Sequence, residues 1–205
     1  MKSFNGKVAA ITGAASGMGR TLALQLAREG ASLSLSDVDT NGLAETVTLA
    51  QAAADKAKKS IKITSQKLDV SDKDGVYAWA DKTAADHGKV NLIFNNAGVA
   101  YATPVTAIDY EKFEWIVGIN FWGVVYGSQA FLPYLKASGD GHIVNTSSLF
   151  GLIGTPGTGA YSATKFAVRG FSNGIYAVFR QTRTLPLKVR AFVDFLAQEL
   201  KDAGA

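Results

Sequence analysis

The sequence predicts an α/β fold in which helices cover both faces of a doubly wound parallel sheet. Three observations predict it. Short, near-continuous apolar runs recur along the chain, each followed by a stretch with helical spacing. A glycine-rich loop separates the first run from the first helical stretch. Polar residues suited to holding ligands fall at the carboxyl ends of the runs, where open parallel sheets bind them.

The elements follow in order. Val8 to Ile11 is the first strand, and Met18, Leu22, Leu26 and Ala27 give residues 17 to 29 a helical stripe. Between them lies Thr12-Gly13-Ala14-Ala15-Ser16-Gly17-Met18-Gly19. Its glycines let backbone N–H groups approach a diphosphate at the positive end of the helix, and Gly19 lets helix and strand pack closely. Ser32 to Ser36 is the second strand and ends at Asp37, near where an acid in such units grips a ribose 2′-hydroxyl. Taken singly, the glycines read as a turn and Asp37 as a loop acid; in this order they favour nucleotide binding. Residues 40 to 58 form a helix, Ile61 to Leu68 the third strand, and Asp69-Val70-Ser71 caps a helix over 72 to 87. Val90 to Phe94 is the fourth strand, ending in Asn95-Asn96-Ala97-Gly98. A long helix spans about 107 to 137, interrupted near Gly118 or Gly123. His142 to Thr146 is the fifth strand, followed by Ser147, Ser148, a glycine-rich loop and a helix to about Asn173.

Tyr161 and Lys165 stand one turn apart on that last helix, so both can reach one cleft. A cation beside a phenol favours the phenolate, which makes Tyr161 a candidate proton donor and acceptor. The same pair also occurs on exposed helix faces without chemistry. The glycine loop at the other end of the chain is what favours a site.

The 205 residues suit a single domain that buries roughly 70% of its unfolded surface. With 47% hydrophobic and 19% charged residues the chain reads as soluble and globular. A net charge of +4 with scattered basic residues predicts neither a nucleic-acid nor a membrane partner. There is no cysteine, and His87 and His142 lie far apart, so no metal site is expected. Residues 116 to 135 carry no charge, but Asn120, Gln129 and Pro133 make a buried helix the better reading than a membrane span. No targeting segment is evident, and a cytoplasmic protein is expected.

Taken together, Thr12 to Gly19, Asp69-Val70, Asn95 to Gly98, Asn120, Ser148 and Tyr161 to Lys165 resemble the short-chain dehydrogenase/reductase family over about residues 6 to 173. The resemblance implies a Rossmann-like fold and hydride transfer between a nicotinamide and a secondary alcohol or ketone. It implies Tyr161 as general acid/base, and Lys165 as the group that holds the nicotinamide ribose. Ser148 would hydrogen-bond the substrate oxygen, and Asn120 would anchor a water behind Lys165. Gly13, Ser16, Gly17, Met18 and Gly19 would hold the diphosphate. Asp69 and Val70 would touch the adenine, with Asn95, Asn96, Ala97 and Gly98 lining its side of the site. Asp37 suggests NAD over NADP, since a carboxylate repels a 2′-phosphate. Phe150, Leu152 and Trp122 suggest an apolar substrate pocket or part of the core. Family members commonly pair through the helices corresponding to 107 to 137 and to the Tyr161 helix, so a homodimer or homotetramer is expected.

Beyond Ser172-Asn173 the resemblance stops. The segment lacks the family's Pro-Gly turn and lid, and Tyr176 to Leu200 resembles the carboxyl end of a LysR-type effector domain. Here Gly174 is expected to end the helix, Ile175 to Phe179 to form a sixth strand, and Pro186 to open an amphipathic helix. Such a truncated or replaced carboxyl part leaves a second expectation, a catalytically impaired nucleotide-binding protein. A transcription regulator is disfavoured, since no helix-turn-helix is evident.

Overall fold

Five parallel strands lie in the order β3-β2-β1-β4-β5 in the computed structural model, which describes residues 3–176. They are β1 Val8–Thr12, β2 Ser32–Asp37, β3 Ile63–Lys67, β4 Leu92–Asn95 and β5 His142–Asn145. β1 runs between β2 and β4, so the strand order reverses beside it. At such a switch point the loops leaving neighbouring strands turn to opposite faces and open a crevice.

All five residues of β1 are buried, because helices cover both faces of the sheet. Ala9 and Ile11 pack with Leu33 and Leu35 on one face, against α1 (Gly17–Arg28) and α2 (Thr40–Lys56). Ala10 and Ile93 face the other side, where α3 (Lys73–His87) and α5 (Gly123–Ala137) supply Trp79 and Phe131 in edge-to-face contact at 5.0 Å. In β2, Ser34 and Ser36 are buried where alternation alone suggests a wet face. Ser34 is satisfied there: its Oγ accepts from Trp79 Nε1 at 3.0 Å and pairs with Thr83 Oγ1 at 2.8 Å.

Several boundaries differ from expectation. β3 is shorter than Ile61 to Leu68, an edge strand with Ser65 and Lys67 exposed. α3 is capped by Asp72, whose carboxylate accepts from Gly75 N at 3.1 Å, while Asp69 instead accepts from Ser71 N and Oγ. The long helix comprises α4 (Tyr110–Val117), a π turn over Gly118–Trp122, and α5. Both suspected glycines bound that turn. A Cβ on Gly123 would lie 2.7 Å from Val70 Cγ2, so its absence lets α5 approach the loop after β3.

Helix α6 runs from Gly159 to Tyr176. Gly174 therefore does not end it, and Ile175 and Tyr176 are helical; with no proline and no positive φ at this point, the helix simply continues. The rest of the expected sixth strand, the helix from Pro186 and the LysR-like segment lie outside the described residues. Among the described residues, no helix is long and apolar enough to cross a membrane.

Candidate active site

A cleft of about 450 Å³ opens at the carboxyl ends of β1, β2 and β4. Its floor is the glycine loop. Gly13 adopts φ +66° and lies so close to the β4 loop that a Cβ would fall 2.8 Å from Ala97 Cα. Gly17, at φ +53°, has open space where a side chain would be. Ser16 is the N-cap of α1 yet makes no side-chain capping bond, so the first N–H groups of the helix are left for a ligand. Ser16, Gly17 and Met18 line the cleft. Gly19 does not; it is buried beneath the loop, where a Cβ would stand 2.0 Å from Gly13 O.

The walls carry the polar groups. Asp37 holds each carboxylate oxygen on a backbone donor: Oδ2 accepts from Ala15 N at 2.9 Å and Oδ1 from Asp39 N at 3.0 Å. Thr12 Oγ1 accepts from the N–H groups of Asn96 and Ala97, both at 3.0 Å, which ties the β1 end to the β4 loop. Asn96 Nδ2 donates to Thr12 O and Gly13 O at 3.1 and 3.2 Å. Asp69, Val70, Ala97 and Gly98 complete the predicted lining. An uncapped helix start, an open glycine and a rim carboxylate suit a dinucleotide's diphosphate and ribose.

Asn95 does not belong to this wall. It is 2% exposed and turns away from the cleft, its Nδ2 donating to Ser128 Oγ at 3.1 Å and Asn145 Oδ1 at 2.8 Å. As the last residue of β4 it points to the opposite face from Asn96. Val38, Leu68, Val99, Trp115 and Ile119 also line the cleft and were not expected there. The one available signal was spacing: Trp115 and Ile119 are four residues apart in the segment that carries Asn120.

The second half of the site lies on α6, whose residues do not border that cleft directly. Lys165 is 4% exposed; its Nζ donates to Thr146 O at 3.0 Å and sits 5.7 Å from the centre of the Tyr161 ring. Burial lowers the pKa of its ammonium below the ordinary lysine range. Gly98 joins the two halves. A Cβ there would lie 3.5 Å from Lys165 Nζ and 3.3 Å from Asn120 Oδ1.

The strand-end tripeptide after β5 holds α6 from below. Ser147 Oγ donates to Lys165 O at 3.0 Å. Ser148 Oγ accepts from Phe150 N at 3.2 Å and keeps its own proton to donate. Phe150 meets the Tyr161 ring edge to face at 6.1 Å, and Leu152 and Trp122 are 39% and 46% exposed, so these three are not core. Asn120, on the π turn, accepts from Val99 N at 2.8 Å and donates to Val99 O at 2.9 Å and Thr164 Oγ1 at 3.2 Å. Its side chain thus clamps the β4 loop to α6. A partly buried polar chain runs alongside: Asn145, bonded to Asn95, donates to Ser172 Oγ at 3.0 Å, and Ser172 Oγ donates to Val168 O at 2.7 Å.

The chain is similar to proteins of one family. The model of the short chain dehydrogenases matches residues 7–192, past Asn173. A Mycobacterium tuberculosis protein named as an oxidoreductase, SadH, is 54% identical over 175 residues, which is 85% of this chain and 61% of that protein. Levodione reductase of Leifsonia aquatica is 35% identical over 170 residues, 82% of this chain and 62% of the other. The crystal structure of a Burkholderia phymatum short chain dehydrogenase/reductase in complex with NAD superposes with a TM-score of 0.82 at 39% identity, covering 88% of this chain and 62% of that one. The chain thus spans about three fifths of the length of these relatives. A parallel sheet with a glycine-lined crevice at its switch point, a Tyr161-Lys165 pair beside it and a family match over most of its length agree: the chain belongs to the short chain dehydrogenase family.

Proposed function

We propose that the chain binds NAD across the ends of β1, β2 and β4 and interconverts a secondary alcohol and a ketone, with Tyr161 as general acid/base. The observation that carries this reading is Lys165, wedged between the Tyr161 ring and the Gly98 edge of the cleft. The Burkholderia neighbour carries NAD by its description, and levodione reductase acts on a dione by its name.

The uncapped start of α1 and the backbone of Gly17 and Met18 would hold the diphosphate, and Asp37 a ribose hydroxyl. A carboxylate already fixed by two N–H groups repels a 2′-phosphate, which favours NAD over NADP. Asp69 and Val70 would flank the adenine. The bound nicotinamide supplies hydride exchange with the substrate carbon.

The chain's own residues handle the proton. As a ketone oxygen becomes an alkoxide it needs donors already in place. The Ser148 hydroxyl donates one hydrogen bond, and Tyr161 gives the proton, or takes it in the reverse direction. Lys165 places its buried charge against the phenol ring and its N–H groups toward the cofactor side. Asn120 holds the Gly98–Val99 backbone against Thr164 and so fixes the distance between the two halves. The part-exposed Leu149, Leu152 and Ile153 after Ser148 favour an apolar substrate. Trp115 and Trp122 on α4 and the π turn, with Phe166 on α6, are each more than 40% exposed and support self-pairing through these helices.

A second reading, a nucleotide-binding chain without turnover, draws support from the cleft lining, which holds the adenine-side residues but none of Ser148, Tyr161 and Lys165. One experiment separates them. NADH is titrated by fluorescence, and secondary alcohols and ketones are then screened by absorbance with wild type and Tyr161→Phe. Turnover abolished by the substitution supports the enzyme; tight NADH binding with no turnover on any substrate supports the second reading.

A further inference from the structure

Arg20 lies just outside the cleft lining and is the most heavily bonded cation near it. Its Nε and Nη2 both donate to Ala15 O, at 3.1 and 2.6 Å. Nε also donates to the buried Thr46 Oγ1 at 3.0 Å, and Nη2 to Gly42 O at 3.2 Å and Glu45 Oε2 at 2.7 Å. The guanidinium therefore pins the glycine loop to the first turns of α2. Gly42 reinforces the junction, since a Cβ there would stand 3.0 Å from Ala15 O.

Ala15 is where this clamp meets the cofactor acid. Its carbonyl is held by Arg20, and its N–H donates to Asp37 Oδ2 at 2.9 Å. We infer that Arg20 is a positioning residue for cofactor choice: by fixing the Ala15 backbone it holds the Asp37 carboxylate where a ribose hydroxyl is accepted and a 2′-phosphate refused. This rests on the nucleotide-binding reading above. The preference for NAD then depends on a residue that need not touch the nucleotide. A free carboxylate could swing aside for an extra phosphate, whereas one anchored to a rigid loop cannot.

The geometry also separates this role from a plain charge effect. If Arg20 acted only as a nearby positive charge, its loss would weaken NADPH more than NADH, because NADPH carries the additional phosphate. The preference for NADH would then widen. Loss of positioning has the opposite sign: NADH loses a well-held acceptor, NADPH loses a fixed repulsion, and the preference narrows.

The test is the ratio of NADPH to NADH dissociation constants, measured by fluorescence titration of the full chain. Arg20→Ala and Arg20→Lys should each narrow the ratio about tenfold, the order expected for loss of a charged hydrogen bond. The lysine variant keeps the charge but not the fork. Glu45→Gln, which removes the ion pair and leaves both bonds to Ala15 O, should keep the wild-type ratio. An unchanged or widened ratio in the folded Arg20 variants overturns the inference, as does a Glu45→Gln ratio that narrows equally. A wild type that binds neither dinucleotide overturns the nucleotide-binding reading and this inference together, so the two failures are distinguishable.

Discussion

Lys165 holds its ammonium 5.7 Å from the centre of the Tyr161 ring while donating to Thr146 O at 3.0 Å. Both residues come from α6, yet the lysine is nearly inaccessible and the tyrosine half-buried, so the pair is not a solvated helix face.

Lys165→Met should abolish turnover while leaving the fold intact. The substitution removes a charge whose burial is unfavourable and leaves Thr146 O without this donor, two effects of opposite sign. The melting temperature should therefore move by less than about 4 °C. The sign of the pH dependence is fixed by the lowered pKa of Lys165. The unfolded chain binds the proton more tightly, so this residue's destabilisation is fully present below the folded pKa. It disappears as pH rises towards the ordinary lysine range. Thermal melts of both proteins between neutral and alkaline pH should show wild type gaining relative to the methionine variant.

Gly19→Ala should cost NADH affinity more than tenfold. The added Cβ would meet Gly13 O, a backbone atom, at 2.0 Å and displace the loop that floors the cleft. Isothermal titration with NADH checks it, and unchanged affinity would remove the close-packing role assigned to this glycine.

Gly127→Ala should destabilise the protein by about 2 kcal/mol, since the new methyl would fall 2.0 Å from the buried Asn95 Oδ1. A drop of roughly 4 to 8 °C in melting temperature is expected.

His87→Gln should flatten the acid limb of the stability profile. His87 Nε2 pairs with Thr64 Oγ1 at 2.9 Å, and burial, with Lys62 adding to it, lowers the pKa of the imidazole. The unfolded chain thus takes up the proton first, so stability contributed by the neutral ring is present above about pH 6.5 and lost as pH falls below it. Urea melts at pH 7.5 and 5.5 should show a smaller loss in the variant than in wild type.

Much of this architecture could be read from the chain because β1 and β4 are short apolar runs followed by helical stretches, and because the Gly13 to Gly19 loop stands between the first strand and the first helix. Other features depended on direction and depth, which spacing does not carry. Asn95 and Asn96 are adjacent amides with opposite destinations, decided by which one ends the strand. Arg20 looks like an ordinary surface cation in the sequence; its partners Gly42, Glu45 and Thr46 lie on another helix. Gly174 looks like a stop signal, but a glycine lowers helix stability by only about 1 kcal/mol, and α6 runs through it.

The amide chain from Asn95 through Asn145 to Ser172 has a mechanical consequence for α6. A helix seated only on hydrocarbon can slide by a fraction of its rise and find nearly equivalent contacts. One pinned by a directional donor to a single hydroxyl has no intermediate stop, because any translation breaks the bond before another can form. The Tyr161 ring and the Lys165 ammonium, three and two turns upstream, inherit that fixed setting, so a bond near the carboxyl end of α6 helps to fix how both side chains are aimed.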